Sequence, residues 1–426
     1  MLIIQKLTEF IGGKHSLRRK TLLGSNWLLI KSMALGLIDL AKTYIFARVL
    51  FPEDYGLMAL AMMAIGLLES FSATGMEVMI QRDDEHFAER LPAYWTVKVI
   101  RGIVLAVLAW FIAIPLAQYY QHAELIWLVR LLAIAFLLRG VAGFGSEVCL
   151  RKMEFGRAAL AEIAVALPAL GLSVMLLLVF RDVRALAASS LIGAAAFLIV
   201  SYILFPWRPK IKIDFSLLKL LACFSGSIVA INIMNYFFSN FDQGVIGKLL
   251  GLEPLGFYAR GYFLAMVPVA YLANVISPVF MPAFRNLMAD PGRLRKAFLK
   301  SFLIYACGFA ALGVLLFVFS KEIILIVYGE KWLPLLPVFR ILLIFGMLKG
   351  IMTVCPAVFF LKNKPWLITL SAAVMAVTLG ALCIPMTRAF GTAGTAWAVV
   401  IAGVAANVLA IIMTFHLLSP ERSKAK

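Results

Sequence analysis

The chain has 426 residues, of which 63% are hydrophobic and only 15% are charged, and its formal net charge is +18. Soluble domains are about 45–50% apolar and about 25% charged, so this composition excludes an ordinary soluble protein. Apolar runs long enough to cross a bilayer recur from one end of the chain to the other. The sequence therefore predicts a polytopic membrane protein, in which the location of Lys and Arg reports topology and no nucleic-acid partner is expected.

The chain opens with a segment, 1–21, whose Leu, Ile and Phe positions favour one apolar helix face lying in the membrane interface. We expect an all-α protein with about twelve transmembrane helices and short connections. The predicted spans are 22–47, 55–80, 94–117, 125–149, 158–180, 185–206, 223–247, 256–283, 297–319, 335–360, 366–386 and 391–418.

The basic residues between the spans indicate the orientation. With a cytoplasmic N-terminus, 24 of the 40 Lys and Arg residues fall in cytoplasmic segments and eight fall on the opposite side. Cytoplasmic segments of membrane proteins carry the excess of positive charge. Both termini, including the tail at 419–426, are therefore expected in the cytoplasm.

An internal repeat organises the spans. The stretch ARVLFPEDYGLMAL (47–60) returns as GKLLGLEPLGFYAR (247–260), and VRLLAIAFLLRG (129–140) returns as FRILLIFGMLKG (339–350). These matches predict a six-helix lobe over 22–206, a second over 223–418, and a basic amphipathic linker over 207–222. Two parallel repeats of six helices are a plan of secondary transporters, whose substrate site lies between the halves.

Charged residues inside the first span mark one candidate site. At 3.6 residues per turn, Lys31, Asp39 and Lys42 fall on one side of that helix. Ionisable residues within a span are costly and usually face a wet interior. We weigh two roles for this face, which are lining a substrate cavity and forming a structural ion pair.

The other basic candidates differ in depth. Arg139 and Lys349 lie well inside their spans at equivalent positions of the repeat. Arg48, Lys248 and Arg260 lie at outer helix ends, where they can anchor the helix or line an outer vestibule. The charge within the spans is net basic, which suits an anionic ligand better than a cationic one.

The sequence contains no motif for nucleotide binding, metalloprotease chemistry or a serine hydrolase. Its five cysteines do not have metal-ligand spacing, so they are interpreted as small core residues. Neither an enzyme nor a metal or organic cofactor is expected.

Several stretches resemble one family. They include GMEVMIQR (75–82), WRPK (207–210), FDQGVIGKLLGLEPLGFYARGYFLAMVP (241–268) and YGEKWLPLLPVFRIL (328–342). Together with ARVLFPEDYGLMAL (47–60), they resemble polysaccharide flippases of the multidrug/oligosaccharidyl-lipid/polysaccharide exporter superfamily. Within it, they resemble the colanic-acid and teichuronic-acid exporter branch.

The resemblance implies transfer of an undecaprenyl-diphosphate-linked oligosaccharide from the inner to the outer leaflet of a bacterial inner membrane. It further implies two six-helix lobes around a central cavity, alternating access, coupling to a proton or sodium gradient, and contact with membrane lipids and glycan polymerase or export machinery. Glu69 and Asp242, which lie within spans, are the candidates for carrying the coupling ion.

Three alternatives stay open at this point. A cation/drug antiporter of the same superfamily would be expected to have a net-acidic cavity. A peptidoglycan-precursor flippase would share a cationic cavity for a lipid diphosphate. A scaffold of a glycan-synthesis complex would need no continuous cavity. Many members of the resembled family have fourteen helices, whereas twelve are predicted here.

Overall fold

The structure is a computed structural model that describes residues 17–418 apart from 73–75, 77–86, 153, 208, 215–228, 230–231, 235, 238, 286 and 289. The first sixteen residues of the predicted interfacial segment, much of the linker 207–222 and the whole tail 419–426 lie outside the described residues. Within the described part, the regular elements are helices, as the composition predicts. A helix satisfies its own backbone hydrogen bonds, which is what lipid requires.

Helices occupy the positions of the first six predicted spans. The fourth predicted span is divided at 142–144, where the chain leaves the helix for three residues. The elements are α1 (Leu17–Val49), α2 (Pro52–Phe71), α3 (Phe87–Tyr120), α4 (Glu124–Val141), α5 (Gly145–Arg151), α6 (Phe155–Phe180) and α7 (Val183–Leu204).

The second half of the chain repeats this series with more interruptions. Its helices are α8 (239–249), α9 (Leu252–Arg285), α10 (Pro291–Val318), α11 (Ser320–Val327), α12 (Leu336–Ile351), α13 (Cys355–Leu361) and α14 (Trp366–Leu417). Two 3₁₀ turns, Glu330–Leu335 and Met352–Val354, connect the short elements.

Seven helical stretches of the described residues are long and apolar enough to cross a membrane. One of them, α14, is 52 residues long and is interrupted at Gly391, whose φ of 62° and ψ of −144° are non-helical. Only glycine adopts this conformation readily, so Gly391 separates the last two predicted spans. The protein is therefore a multi-pass membrane protein, while the count of twelve spans stays a prediction.

Packing divides the chain into two compact units, and the division runs through α2. Unit 1 comprises Met1–Val49 and Ala64–Ile233, and unit 2 comprises Leu50–Met63 and Met234–Lys426. The first turns of α2 thus pack with the second half of the chain, which the repeat pattern does not indicate.

Two glycines explain this packing of α2 in unit 2. A Cβ built on Gly56 would collide with the carbonyl oxygen of Leu252, and a Cβ on Gly256 would collide with the carbonyl oxygen of Pro52. The helix beginnings therefore approach each other backbone to backbone, as small residues allow in membrane proteins. Residues 52–56 of the first copy of the repeated phrase and 252–256 of the second meet here, within unit 2.

The repeat is also visible in how each unit holds an arginine. The guanidinium carbon of Arg130 lies 4.5 Å from the ring centroid of Trp110 in unit 1. At the equivalent place in unit 2, Arg340 lies 5.0 Å from the ring of Phe317. One arginine–aromatic contact is therefore common to the two units.

Candidate functional site

Lys31 of α1 forms an ion pair within unit 1 rather than with its own helix. Its Nζ lies 2.8 Å from Oε2 and 2.9 Å from Oε1 of Glu162 on α6. Both side chains are about one quarter exposed, at 27% and 24%. Glu162 was missed by the sequence reasoning, although an acidic residue inside the apolar run of the fifth predicted span is itself a signal.

The remaining candidates of α1 face other groups. Asp39 is exposed and interacts electrostatically with Lys42, one turn further along the helix. The Lys42 Nζ also lies 5.7 Å from the Phe46 ring centroid. Within the described residues, no hydrogen bond or ion pair joins Asp39 to Lys31. The predicted face is therefore divided between an ion pair to α6 and a local Asp39–Lys42 interaction.

Arg48 ends α1 as an exposed residue whose guanidinium lies 5.1 Å from the ring of Tyr44. Lys248, near the end of α8, is exposed as well. Each position is consistent with either expected role, which is to anchor an outer helix end or to line an outer vestibule.

Arg139 and Glu69 are brought together by the fold of unit 1. The Nη1 of Arg139 on α4 lies 2.8 Å from Oε1 of Glu69, which belongs to the part of α2 in unit 1. Their side chains are 52% and 38% exposed. One was predicted to contact substrate and the other to carry an ion, so the contact links the two predicted roles. A charged group arriving at either side chain would compete with this pair.

Asp242 is the most deeply buried acidic candidate, with only 2% of its surface exposed. Its Oδ2 accepts a hydrogen bond of 2.5 Å from the hydroxyl of Tyr258, and its Oδ1 accepts one of 2.9 Å from the backbone N–H of Gln243. A buried carboxyl group needs such partners, because leaving it unpaired is costly. Tyr258 and Gln243 thus hold the carboxyl group in one orientation.

A cavity of about 430 Å³ lies within unit 2 and includes both Asp242 and Lys349 in its wall. Lys349 extends from α12 and is exposed, as expected for a side chain that faces open space. Its Nζ lies 6.0 Å from the ring centroid of Phe345. The rest of the wall is mainly apolar, with Met266, Val269, Met352, Met375, Leu379 and Val399 among its members.

A second polar cluster of unit 2 surrounds Arg260 on α9. The guanidinium carbon lies 4.2 Å from the ring centroid of Tyr55, and Tyr55 packs edge-on against Trp332 at 5.2 Å. Trp332 also contacts Tyr328 at 5.3 Å. Arg260 Nε and the hydroxyl groups of Tyr55 and Tyr328 are buried and have no hydrogen-bond partner among the residues that the structure describes.

The protonation of this cluster follows from its burial. Burial raises the pKa of Tyr328, which lies between α11 and the following 3₁₀ turn, and the nearby Arg260 partly offsets that rise. The phenol therefore remains protonated at neutral pH. Arg260, Tyr55 and Tyr328 thus form a buried cluster of hydrogen-bond donors.

The described residues contain no group of three or more His, Cys, Asp or Glu side chains placed to hold a metal ion. The polar groups described above are of three kinds: hydrogen-bond donors, side chains in ion pairs, and isolated carboxyl groups.

Comparison with known proteins gives the chain a family. Residues 45–337, more than half of its 426 residues, match the family model described as "Polysaccharide biosynthesis protein". The chain is 26% identical over 347 residues to the lipopolysaccharide biosynthesis protein WzxC of Escherichia coli K12, covering 79% of this chain and 69% of WzxC. It is also 26% identical to the teichuronic acid biosynthesis protein TuaB of Bacillus subtilis 168, covering 67% of this chain but only 59% of TuaB.

A solved structure supports the fold. The lipid II flippase MurJ in an inward closed conformation matches with a TM-score of 0.73, at 13% identity, over 91% of this chain and 87% of that chain. At that identity, the likeness concerns the fold alone. The family match over more than half of the chain places this protein in the polysaccharide biosynthesis protein family.

Proposed function

We propose that this protein is a flippase that moves a polyprenyl-diphosphate-linked oligosaccharide from the inner to the outer leaflet for the synthesis of a surface polysaccharide. In this proposal the protein resides in a bacterial inner membrane with both termini in the cytoplasm, and it performs transport rather than covalent chemistry. The names of WzxC and TuaB, which concern lipopolysaccharide and teichuronic acid biosynthesis, support this assignment.

The observation that carries the proposal is the cluster of unused donors around Arg260. Arg260 Nε and the hydroxyl groups of Tyr55 and Tyr328 have no acceptor within the described residues. Leaving such groups buried and unpaired is costly, so a bound acceptor would stabilise them. A diphosphate supplies several charged oxygen acceptors, and arginine is the residue best suited to binding them.

Energy for transport is proposed to come from a proton or sodium gradient acting on Asp242 or Glu69. Asp242 is buried and held by Tyr258 and Gln243, so a proton or cation reaching it would alter those hydrogen bonds. Glu69 is bonded to Arg139, so its neutralisation would release that arginine. Either event changes the contacts between helices, which is what coupling requires.

The proposal is tested by mass spectrometry of polyprenyl-linked sugars in a strain that lacks the protein. We expect a complete lipid-linked repeat unit to accumulate while surface polysaccharide is lost. The wild-type gene should restore both, whereas Arg260→Gln should restore neither fully. Arg388→Gln, which changes an exposed arginine of the same unit, is the matched control and should restore both.

An unchanged lipid pool together with intact surface polysaccharide would contradict the proposal. Full rescue by a well-expressed Arg260→Gln variant would instead remove the observation on which the diphosphate contact rests. Glycan polymerase or export proteins are the proposed partners, since the flipped unit must be used on the outer side.

A further inference from the structure

One pair of basic residues at equivalent positions of the repeat, Arg139 and Lys349, has different neighbours in the two units. The repeat aligns Arg139 with Lys349, and each lies nine residues after an aligned arginine, Arg130 or Arg340, that contacts an aromatic ring. Glu69 lies 17 positions after Pro52, the first residue of α2, and Val269 lies 17 positions after Leu252, the first residue of α9. The acidic partner of unit 1 therefore corresponds to valine in unit 2.

This difference leaves the basic residue of unit 2 without its counterpart. In unit 1, the Arg139–Glu69 distance is 2.8 Å. In unit 2, Lys349 and Val269 both line the 430 Å³ cavity, and no ion pair to Lys349 occurs in the described part of the chain. The one carboxyl group among the described residues of the wall, that of Asp242, is already bonded to Tyr258 and Gln243.

The cavity wall is suited to two kinds of chemistry. Besides Lys349, its polar members are Ser239, Asp242, Tyr262, Thr353 and Asn407, and most of its other members are aliphatic or sulfur-containing. An ammonium group without an ion-pair partner attracts an anion, and its hydrogen bonds to phosphate oxygens are charge-assisted. Aliphatic walls stabilise hydrocarbon by about 25 cal/mol for each Å² removed from water. The volume lies within the range of roughly 300–1,000 Å³ that small-molecule sites occupy.

We propose that the cavity of unit 2 binds an amphiphilic anion, with a phosphate head on Lys349 and a hydrocarbon chain along the wall formed by Val269, Met266 and Met375. This inference rests on the proposed function for the source of its ligand, a prenyl phosphate portion of a lipid. It assigns unit 2 a lipid-phosphate site of its own, created where the repeat replaces glutamate with valine.

The test is equilibrium binding of radiolabelled dodecyl phosphate to the full-length protein in phosphatidylcholine nanodiscs, with empty nanodiscs subtracted. We expect saturable binding by the wild type and at least about tenfold weaker binding by Lys349→Met, which removes the cation at similar size. Val269→Glu should weaken binding equally, because it supplies the carboxylate that unit 1 already has. Lys364→Met, which removes an exposed cation of the same unit that does not line the cavity, is the matched control and should bind like the wild type.

Competition with unlabelled ligands separates the sources of the anion. Dodecyl maltoside, which has the same chain but no charge, and inorganic phosphate, which has a charge but no chain, should each compete at least about tenfold more weakly than unlabelled dodecyl phosphate. Equal competition by inorganic phosphate would overturn the lipid assignment in favour of a free anion. Equal competition by dodecyl maltoside would overturn the role of Lys349.

Loss of folding does not account for the result expected of Lys349→Met. Lys349→Met removes an uncompensated charge from an apolar wall, so it should unfold no more easily than the wild type. Unchanged dodecyl phosphate binding by this well-folded variant would overturn the proposal. Because the binding assay contains no oligosaccharide, its failure is distinct from an unchanged lipid-linked sugar pool in the deletion strain, which would contradict the proposed function.

Discussion

The Lys31–Glu162 ion pair should contribute measurable coupling energy to the stability of unit 1. The two charges are 2.8 Å apart, which at an effective dielectric constant of 20 corresponds to a Coulomb energy of about 6 kcal/mol before costs. Desolvation and side-chain ordering remove much of this, and the side chains are about one quarter exposed. A net coupling of about 1–3 kcal/mol is therefore expected.

The assay is a double-mutant cycle with Lys31→Met, Glu162→Leu and the double variant, unfolded by SDS titration of the purified protein in mixed micelles. Each single variant leaves one unpaired charge among apolar helices, so the double variant should be more stable than the sum of the two losses predicts. The matched control is the exposed Arg157–Glu154 pair, at 3.3 Å and three residues apart in sequence. Its coupling should be below about 0.5 kcal/mol. Equal coupling in the two cycles, or coupling near zero for Lys31 and Glu162, would refute this reasoning.

Three further outcomes are expected. Gly256→Ala should destabilise the folded protein by about 1–3 kcal/mol, since its Cβ would overlap a backbone carbonyl, whereas Gly193→Ala, with nothing within 4 Å of its Cβ, should not destabilise it. Ser201→Ala should cost about 1–3 kcal/mol in the same SDS titration, because it removes the 2.8 Å acceptor of the Gly143 N–H; unchanged stability would contradict that role. In proteoliposomes, Asp242→Asn should translocate substrate at a rate that no longer responds to the proton or sodium gradient. A gradient response equal to that of the wild type would remove Asp242 as the coupling residue.

The helices could be predicted from the sequence because their signal is local. Apolar runs, their charged ends and the repeated phrases all lie within single segments, and helices occur where they were expected. The break at Gly391 is of the same kind, since it depends on one residue's φ and ψ. Family membership also followed from short stretches in order.

The side-chain pairs could not be predicted because they depend on how helices rotate and cross. Lys31 and Glu162 are 131 positions apart, and Arg139 and Glu69 are 70 apart. Helical spacing places Lys31 on one face with Asp39, but the packing of α1 on α6 pairs Lys31 with Glu162. Glu162 could have been singled out as an acidic residue within an apolar run. Nothing in the sequence indicates that Lys31 is its partner.

The packing of residues 50–63 with the second half of the chain was hidden for a similar reason. Helical periodicity describes α2 as one element, and no residue within it marks a change of partner. Gly56 and Gly256 supply the physical reason, because only glycine permits the backbone approach at that point. Their matching positions in the two phrases could have suggested that the phrases themselves are in contact.

Translocation by the purified protein tests the central claim most directly. The protein would be reconstituted into liposomes with a fluorescent polyprenyl-diphosphate oligosaccharide, and the fraction of label in each leaflet would be followed with a membrane-impermeant quencher after a proton or sodium gradient is applied. The account predicts transfer of the lipid between leaflets that depends on the protein and is slowed by Arg260→Gln but not by Arg388→Gln. A label distribution identical to that of protein-free liposomes would contradict it.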